Sequence, residues 1–437
     1  MTDIETPHPS APSQATEKPS RARLIILVLL FVTVVINYLD RSNLSIAAPK
    51  LSKDLGIDKQ HMGFILSAFG WTYALMQIPG GWLVDKIRPR ILYAAAIALW
   101  SLATIGLGFA GSFIGLIVLR LAVGAFEAPA YPINNRVVTT WFPDRERASA
   151  IGFYTSGQFV GLAFLAPALM FLQETFSWEM VFLITGAVGL IWALIWFGLY
   201  REPGEHPSAN SAEIALIRDG GGLVDISTSK RVNLNWHDLT IVLRHRKLWG
   251  IYLGQFFMSS TLWFFLTWFP TYLVEARGFT FLKAGFAASV PFLAAFIGVI
   301  TSGLFSDFLL RKGYSQGFAR KTPIITGLLI STCIFGANYV ESPTLIIACM
   351  ALAFFGNGLA SITWSLVSGI APERLIGLTG GVFNFIGNLS AITVPIVIGF
   401  LVKGTNFSPA IAYIAITAIL GAFCFAFIVG KVERIRE

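Results

Sequence analysis

Long apolar runs alternate with short polar connectors from residue 24 to residue 430. A helix needs roughly 20 apolar residues to cross a bilayer, and each run reaches that length. The pattern predicts twelve crossings, at about 24–46, 60–84, 91–111, 113–136, 147–173, 180–200, 248–273, 282–306, 322–340, 344–370, 377–402 and 409–430. Residues 1–22 are rich in Pro, Ser, Thr and charge and read as a disordered tail. The first run is long and has no cleavage site, so it reads as a span and not as a signal peptide. The longest polar stretch, 201–247, separates the sixth run from the seventh. The expected fold is an all-α membrane protein of twelve transmembrane helices in two six-helix halves, 23–200 and 248–430, followed by a short tail, 431–437. The halves rhyme: Gly81 and Asp85 follow the second span, Gly303 and Asp307 the eighth, both at an offset of 222 residues.

Composition agrees with the pattern and removes other classes. Hydrophobic residues are 55% of the chain and charged residues only 13%, against about 25% charge in soluble domains. A soluble enzyme or a nucleic-acid binder would not be solvated by so few charges. The net charge of +8 then points to basic loops at a membrane surface. With the N-terminus in the cytoplasm, cytoplasmic segments hold 24 Lys and Arg and periplasmic loops six. That asymmetry and an even span count place both termini inside. Cys333, Cys349 and Cys424 lie in apolar stretches without ligand spacing, which argues against a disulfide framework or a zinc site. No cofactor and no metal are expected.

Two ionisable pairs break the apolar pattern inside the spans: Asp40 with Arg41, and Arg120 with Glu127. A charge at bilayer depth costs roughly 2.5–3.5 kcal/mol on insertion scales. Such groups face a cavity or a partner and usually serve function. The structural alternative is two ion pairs gluing span one to span four. Arg120 suits that role best, because it lies seven residues before Glu127 on the same helix face. The functional reading is an anion carried with protons. A guanidinium presents a planar fork to a carboxylate and stays charged. A carboxyl group in a low-dielectric cavity can exist as the neutral acid near neutral pH. Protonating one of two carboxyls beside two arginines releases an arginine for substrate. No His lies in a span interior, so the carboxyls would have to carry the protons.

Tyr38, Asn43, Tyr73, Gln77, Gln158, Gln255, Asn357, Ser361, Thr363, Trp364, Asn384 and Asn388 add hydrogen-bonding groups within spans of both halves. Unpartnered polar groups are costly in lipid, so most should face a central cavity, or else bond between helices. As a set they favour a hydroxylated substrate over a lipophilic one. Other motifs carry less. Gly106, Gly108 and Gly111 have dinucleotide-fingerprint spacing but no preceding strand, and read as helix packing. Gly157 with Gly161 and Gly377 with Gly381 read the same way. Gly220–Gly222 lack a phosphate-loop ending and read as a flexible or capping turn. Pro129 and Pro132 should kink span four beside Glu127.

At these positions the chain resembles a known family. NYLDRSNL at 37–44 and FEAPAYPINNR at 126–136 resemble the first- and fourth-span signatures of the anion:cation symporters of the major facilitator superfamily. GFYTSGQ at 152–158, RDGGGLVD at 218–225 and SITWS at 361–365 are similar to its bacterial sugar-acid branch. The likeness runs from about residue 22 to the end. It implies an inner-membrane proton symporter that imports a sugar-acid anion, D-galactonate first and glucarate, another hexarate or a hexuronate as the alternative. It further implies that Asp40 and Glu127 bind protons and that Arg41 binds the substrate carboxylate, with Arg120 coupled to the glutamate. Tyr38, Tyr73, Gln158, Gln255, Ser361, Thr363, Trp364 and Asn384 would surround the sugar acid. Gly81, Asp85, Lys86 and Arg90 match the family's cytoplasmic gate motif. Arg88 stands where that motif has Gly, which would loosen the gate. LVEARGF at 273–279 is more similar to glucarate carriers. The expected partners are a sugar-acid anion, protons and the lipid bilayer, with no nucleic acid, and the carrier is expected to act as a monomer.

Two other functions fit parts of the pattern. An anion exchanger needs the arginines but not titratable acids within the spans. A sugar-acid receptor that does not transport would carry an extended signalling domain, for which the stretch 201–247 is too short. An enzyme is disfavoured because no nucleophile or metal constellation appears.

Overall fold

The computed structural model describes residues 18–224, 236–372 and 375–435. The first half comprises α1 (Ala22–Asp54), α2 (Lys59–Lys86), α3 (Pro89–Leu107), α4 (Phe113–Glu127) continued by α5 (Ala130–Trp141), α6 (Asp144–Thr175) and α7 (Trp178–Leu199). Two short helices follow, α8 (Ser211–Asp219) and α9 (Trp236–Arg244). The second half has α10 (Arg246–Thr267), extended by α11 (Phe269–Thr271) and a π-helical turn to Ala276, then α12 (Phe281–Arg311) and α13 (Gln316–Ser331) with a 3-10 extension to Asn338. It ends with α14 (Pro343–Leu359) and α15 (Trp364–Ile370), α16 (Ile376–Asn388) and α17 (Ser390–Leu401), and α18 (Ser408–Phe423) with a π-helical turn to Ile428. These make the twelve crossings, in two pseudo-symmetric halves.

Ten of the crossings are long and apolar enough to qualify on those grounds alone. The other two, α2 and α10, are diluted by polar and aromatic residues such as Tyr73, Gln77, Gln255 and Ser259. Capping starts several helices. Asp58 accepts the His61 N–H at 2.8 Å and Ser112 accepts that of Gly115 at 3.2 Å. Span four breaks as its prolines predict: α4 stops at Glu127, and Pro129 stands at the head of α5.

Several expectations need correction. Span three ends at Leu107: Gly106 packs within it against Leu119, Gly108 at its C-cap packs against Glu179 and Leu183 of α7, and only Gly111 of the three borders open space. Gly377 and Gly381 border open space and form no packing face. Gly157 and Gly161 do pack, against the backbone of Phe31 and Val35 on α1. Gly220 ends α8 and Gly221 has φ +86°, which is the capping turn.

The tail and the linker also differ from the pattern. Residues 1–17, most of the predicted tail, and 225–235 of the linker lie outside the described residues. Residues 18–21 are bound to the linker helix α8. Glu213 is buried on α8 and accepts the backbone N–H of Arg21, the Ser20 hydroxyl at 3.2 Å and Arg23 Nη1 at 2.9 Å. Burial alone would raise this carboxyl's pKa, but the bonds from Arg23 and Arg21 outweigh it and hold it below the usual range. Hydropathy misses the contact because a polar segment and a polar linker find each other only once the half has folded.

The halves meet along two seams, α2 against α17 and α6 against α12. In the first, Gly63 and Gly399 face each other so closely that a Cβ on either would meet the other's backbone. Ser289 donates to the Ala163 carbonyl across the second. Lys59 pairs with Glu275, and the Leu282 N–H bonds Glu174 at 3.2 Å. All of these lie toward the face remote from the chain termini.

Candidate functional site

Arg41 sits midway along α1, where Asn37, Tyr38, Asp40, Ser42 and Asn43 are also buried. Its guanidinium lies 4.8 Å from the ring centroids of both Tyr38 and Tyr73 and 5.2 Å from that of Phe69. Arg41 Nε donates to Glu127 Oε1 of α4 at 2.5 Å. Glu127 is fully buried and Arg41 nearly so. The proline break after Glu127 matters here. It turns the chain so that Tyr131, at the start of α5, brings its hydroxyl to 3.5 Å from that of Tyr38. A charged pair is thus enclosed by faces of three aromatic rings, where low polarity strengthens its attraction.

The pair is incompletely satisfied. Arg41 Nη2 and Glu127 Oε2 are buried without a hydrogen-bond partner, as are Arg120 Nε and Nη1. Arg120 lies 5.3 Å over Phe69 and makes no ion pair among the described residues. Of the two ion pairs that could tie span one to span four, Arg41–Glu127 is present, while Arg120 makes none among the described residues. A shared face places two residues on one stripe but does not choose their partners. Unsatisfied buried charge is costly, and it persists where structure over-determines it for a task.

Asp40 points away from Arg41, as adjacent positions on a helix must. Its Oδ2 accepts the ring N–H of Trp100 on α3 at 3.0 Å, and Asn43 Nδ2 stands 3.5 Å from Oδ1. Asn43 also donates to Thr185 of α7 at 3.2 Å. Asn43 is thus helix-to-helix glue and does not line a cavity. Asn357 is too, donating to the Met258 carbonyl at 2.8 Å, and Asn388 is spent on the Asn384 carbonyl at 3.0 Å.

Among the described residues, the second half adds no charged side chain to this cluster. Thr363 donates to Gln255 Oε1 at 2.9 Å, and Gln255 Nε2 bonds Ser259 at 3.3 Å, which fixes the amide's orientation. Gly387 presses on the Gln255 stem. Ser361 is half-buried in the 3-10 turn before Trp364. Trp364 is 48% exposed, with its ring edge-on to Phe383 at 5.0 Å, and Asn384 is exposed on α16. Gln158 is half-buried on α6, next to the Gly157 contact with α1. The structure therefore gathers Tyr38, Arg41, Tyr73 and Glu127 into one cluster and Gln255 with Thr363 into another. Trp100, Phe69, Tyr131 and Ser259 escaped the sequence reading. Tyr93, Ile97 and Trp100 share one buried face of span three, and that i, i+4, i+7 spacing was the available signal.

The gate motif is partnered within its own half. Lys86 Nζ lies 3.8 Å over the Trp82 ring, and Arg90 donates to the Phe197 carbonyl at 2.9 Å. Gly81 borders open space, and the Asp85 side chain lies outside the described residues. Arg88 pairs with Glu205 at 3.0 Å on the surface.

A family model described as Major Facilitator Superfamily matches residues 30–395. The chain belongs to the major facilitator superfamily. A D-galactonate transporter of Escherichia coli O6:H1 is 57% identical over 422 residues, covering 96% of this chain and 98% of that one. A probable galactarate/D-glucarate transporter of Bacillus subtilis is 41% identical, with 96% and 94% covered. Among solved structures, a bacterial homolog of the human lysosomal transporter Spinster, inward-facing and unoccupied, aligns at TM-score 0.74 and 18% identity over 93% of this chain and 96% of its own. Fold and relatives are those of transporters, not enzymes.

Proposed function

We propose that this facilitator imports a sugar-acid anion, D-galactonate, together with protons across the bacterial inner membrane, with both termini in the cytoplasm and the single chain as the working unit. The observation that carries the reading is the buried Arg41–Glu127 pair, held at 2.5 Å in an aromatic box and left with an unpartnered N–H and an unpartnered carboxylate oxygen. While Glu127 is ionised, it occupies the arginine that a carboxylate substrate needs. A proton on Glu127 removes that competitor, and the guanidinium fork is then open to the substrate carboxylate. Substrate and proton thereby favour each other's binding, which is the requirement for symport. The uncharged cluster of Gln255, Thr363 and Ser259 supplies donors and acceptors for hydroxyl groups.

The 57% identity to a D-galactonate transporter supports the substrate. The 273–279 stretch, which resembles hexarate carriers, does not argue against it. Glu275 there is occupied with Lys59 at the seam, and Arg277 donates to the Tyr272 hydroxyl at 2.8 Å. Those residues build the remote face and lie away from the Arg41 cluster.

The test is uptake of radiolabelled D-galactonate into proteoliposomes under an imposed proton gradient, acid outside. Accumulation above the external concentration that collapses with a protonophore is expected. Uptake indifferent to the gradient would identify an exchanger. Preference for glucarate or galactarate would move the substrate to the hexarates, and binding without uptake would favour a receptor.

A further inference from the structure

Asp40 is fully buried, and the strongest bond it makes is to a residue that no part of the substrate reading uses. Trp100 is itself buried completely, edge-on to Tyr93 at 6.4 Å between centroids. Tyr93 is tied in turn to Asn134 at 2.8 Å. The indole cannot shift without disturbing this packed stack. Its ring N–H is a donor only. At 3.0 Å from Asp40 Oδ2 it can therefore hold the carboxylate, but it can never receive the proton. The second oxygen, Oδ1, faces the Asn43 amide at 3.5 Å, and the oxygen of that amide is buried without a partner.

We propose that Trp100 is a positioning residue for proton coupling: its N–H fixes Asp40 Oδ2 and confines the transferable proton to Oδ1, beside Asn43. When Asp40 takes a proton, the O–H bond forms at Oδ1, Oδ2 becomes the carbonyl oxygen, and the indole bond to it weakens but persists. The Asn43 amide then turns over, so that its oxygen accepts the new O–H where its nitrogen had pointed, and the bond from Nδ2 to Thr185 breaks as it does so. This gives a use to the one atom of Asn43 that otherwise has none. The ionisable groups facing Asp40 are Glu127 and Arg120 from α4. On its own helix Arg41 is committed to Glu127, α3 offers Tyr93, and α7 presents Thr185. Of all these, Trp100 alone donates to Oδ2 among the described residues.

A hydrogen bond to the charged form of an acid favours that form. Without the indole donor, Asp40 keeps its proton to higher pH. The inference rests on the reading that Asp40 is a coupling site, and the two can be separated. The measurement is the dissociation constant for D-galactonate against pH, by isothermal calorimetry, for wild type, Asp40→Asn, Trp100→Phe and a variant carrying at position 100 the tryptophan isostere with sulfur in place of the ring N–H. Wild-type affinity should weaken as pH rises through a midpoint. Both Trp100 variants should move that midpoint upward by about one pH unit, with affinity below the midpoint within about twofold of wild type, because the substrate contacts are untouched. Asp40→Asn should make the curve shallower, with the remaining slope due to Glu127. A shallower Asp40→Asn curve with an unmoved midpoint in the Trp100 variants would overturn the role of Trp100 and leave Asp40 as a coupling site. An Asp40→Asn curve as steep as wild type would overturn the coupling reading itself, and the role of Trp100 with it. The isostere keeps the ring's volume, so a Trp100→Phe protein that fails to fold does not block the test.

Discussion

The two halves repeat one architecture, yet their inner faces carry opposite chemistry. In the first half, Asp40, Arg41, Arg120 and Glu127 are all buried, and several of their polar atoms have no partner. In the second half, the corresponding depth holds amides, hydroxyls and a half-exposed indole, without a buried Asp, Glu, Lys or Arg among the described residues. On the proposed reading, the pseudo-symmetric scaffold separates two tasks. Charge recognition needs a low-polarity enclosure, because water would screen the guanidinium and weaken its discrimination between ionised and neutral partners. Hydroxyl recognition needs fixed donors and acceptors that can remain wet. The seams differ from both: small residues set the α2–α17 approach there, and polar groups serve as ties.

That division can be broken most severely at Arg41. Arg41→Lys keeps the charge but loses the fork, and D-galactonate uptake should fall by about 100-fold or more, since two charge-assisted bonds cannot both form. Circular dichroism and gel filtration unchanged from wild type would show that the loss is functional, and near-normal uptake would remove Arg41 as the anion anchor. Glu127→Gln should instead separate driving force from binding. Gradient-driven accumulation should vanish, while counterflow exchange stays within about threefold of wild type, because the neutral amide imitates the protonated acid. Uphill accumulation by this variant would mean that Glu127 does not couple.

The second half should respond more weakly and without a change in coupling. Thr363→Val removes the donor that orients Gln255, and the dissociation constant should rise by about three- to tenfold with its pH dependence intact. If the pH dependence changed as well, the halves would not be separable. The smallest effect belongs to the seam. Lys59→Ala breaks a partly exposed pair, and the balance between inward- and outward-open forms, read by distances between spin labels, should change by no more than about fivefold. A larger shift would make Lys59–Glu275 a principal lock and not an auxiliary tie.

The sequence pattern by itself determined the class, ten of the crossings outright, and the identity of the four charged residues buried within spans. The reason is energetic: a chain cannot put twenty apolar residues or a bare arginine at bilayer depth without declaring it in the sequence. The prolines after Glu127 foretold the break in span four because a ring without an N–H cannot continue the ladder. Other matters were decided only by tertiary structure. Helical period places Arg120 and Glu127 on one stripe, but it took the approach of α1 to give Glu127 to Arg41. The same period made Gly377 and Gly381 look like a packing face, and no helix comes to meet them. Asn43 and Asn357 could face a cavity or bond between helices, and their partners, Thr185 and the Met258 carbonyl, lie on helices far away in sequence. Trp100 could be read as one more apolar ring until α3 set its N–H against Asp40. Local sequence fixes depth and facing within a helix, because those follow from hydropathy and a period of 3.6 residues. It does not fix which helix arrives opposite, because that depends on how all twelve pack together.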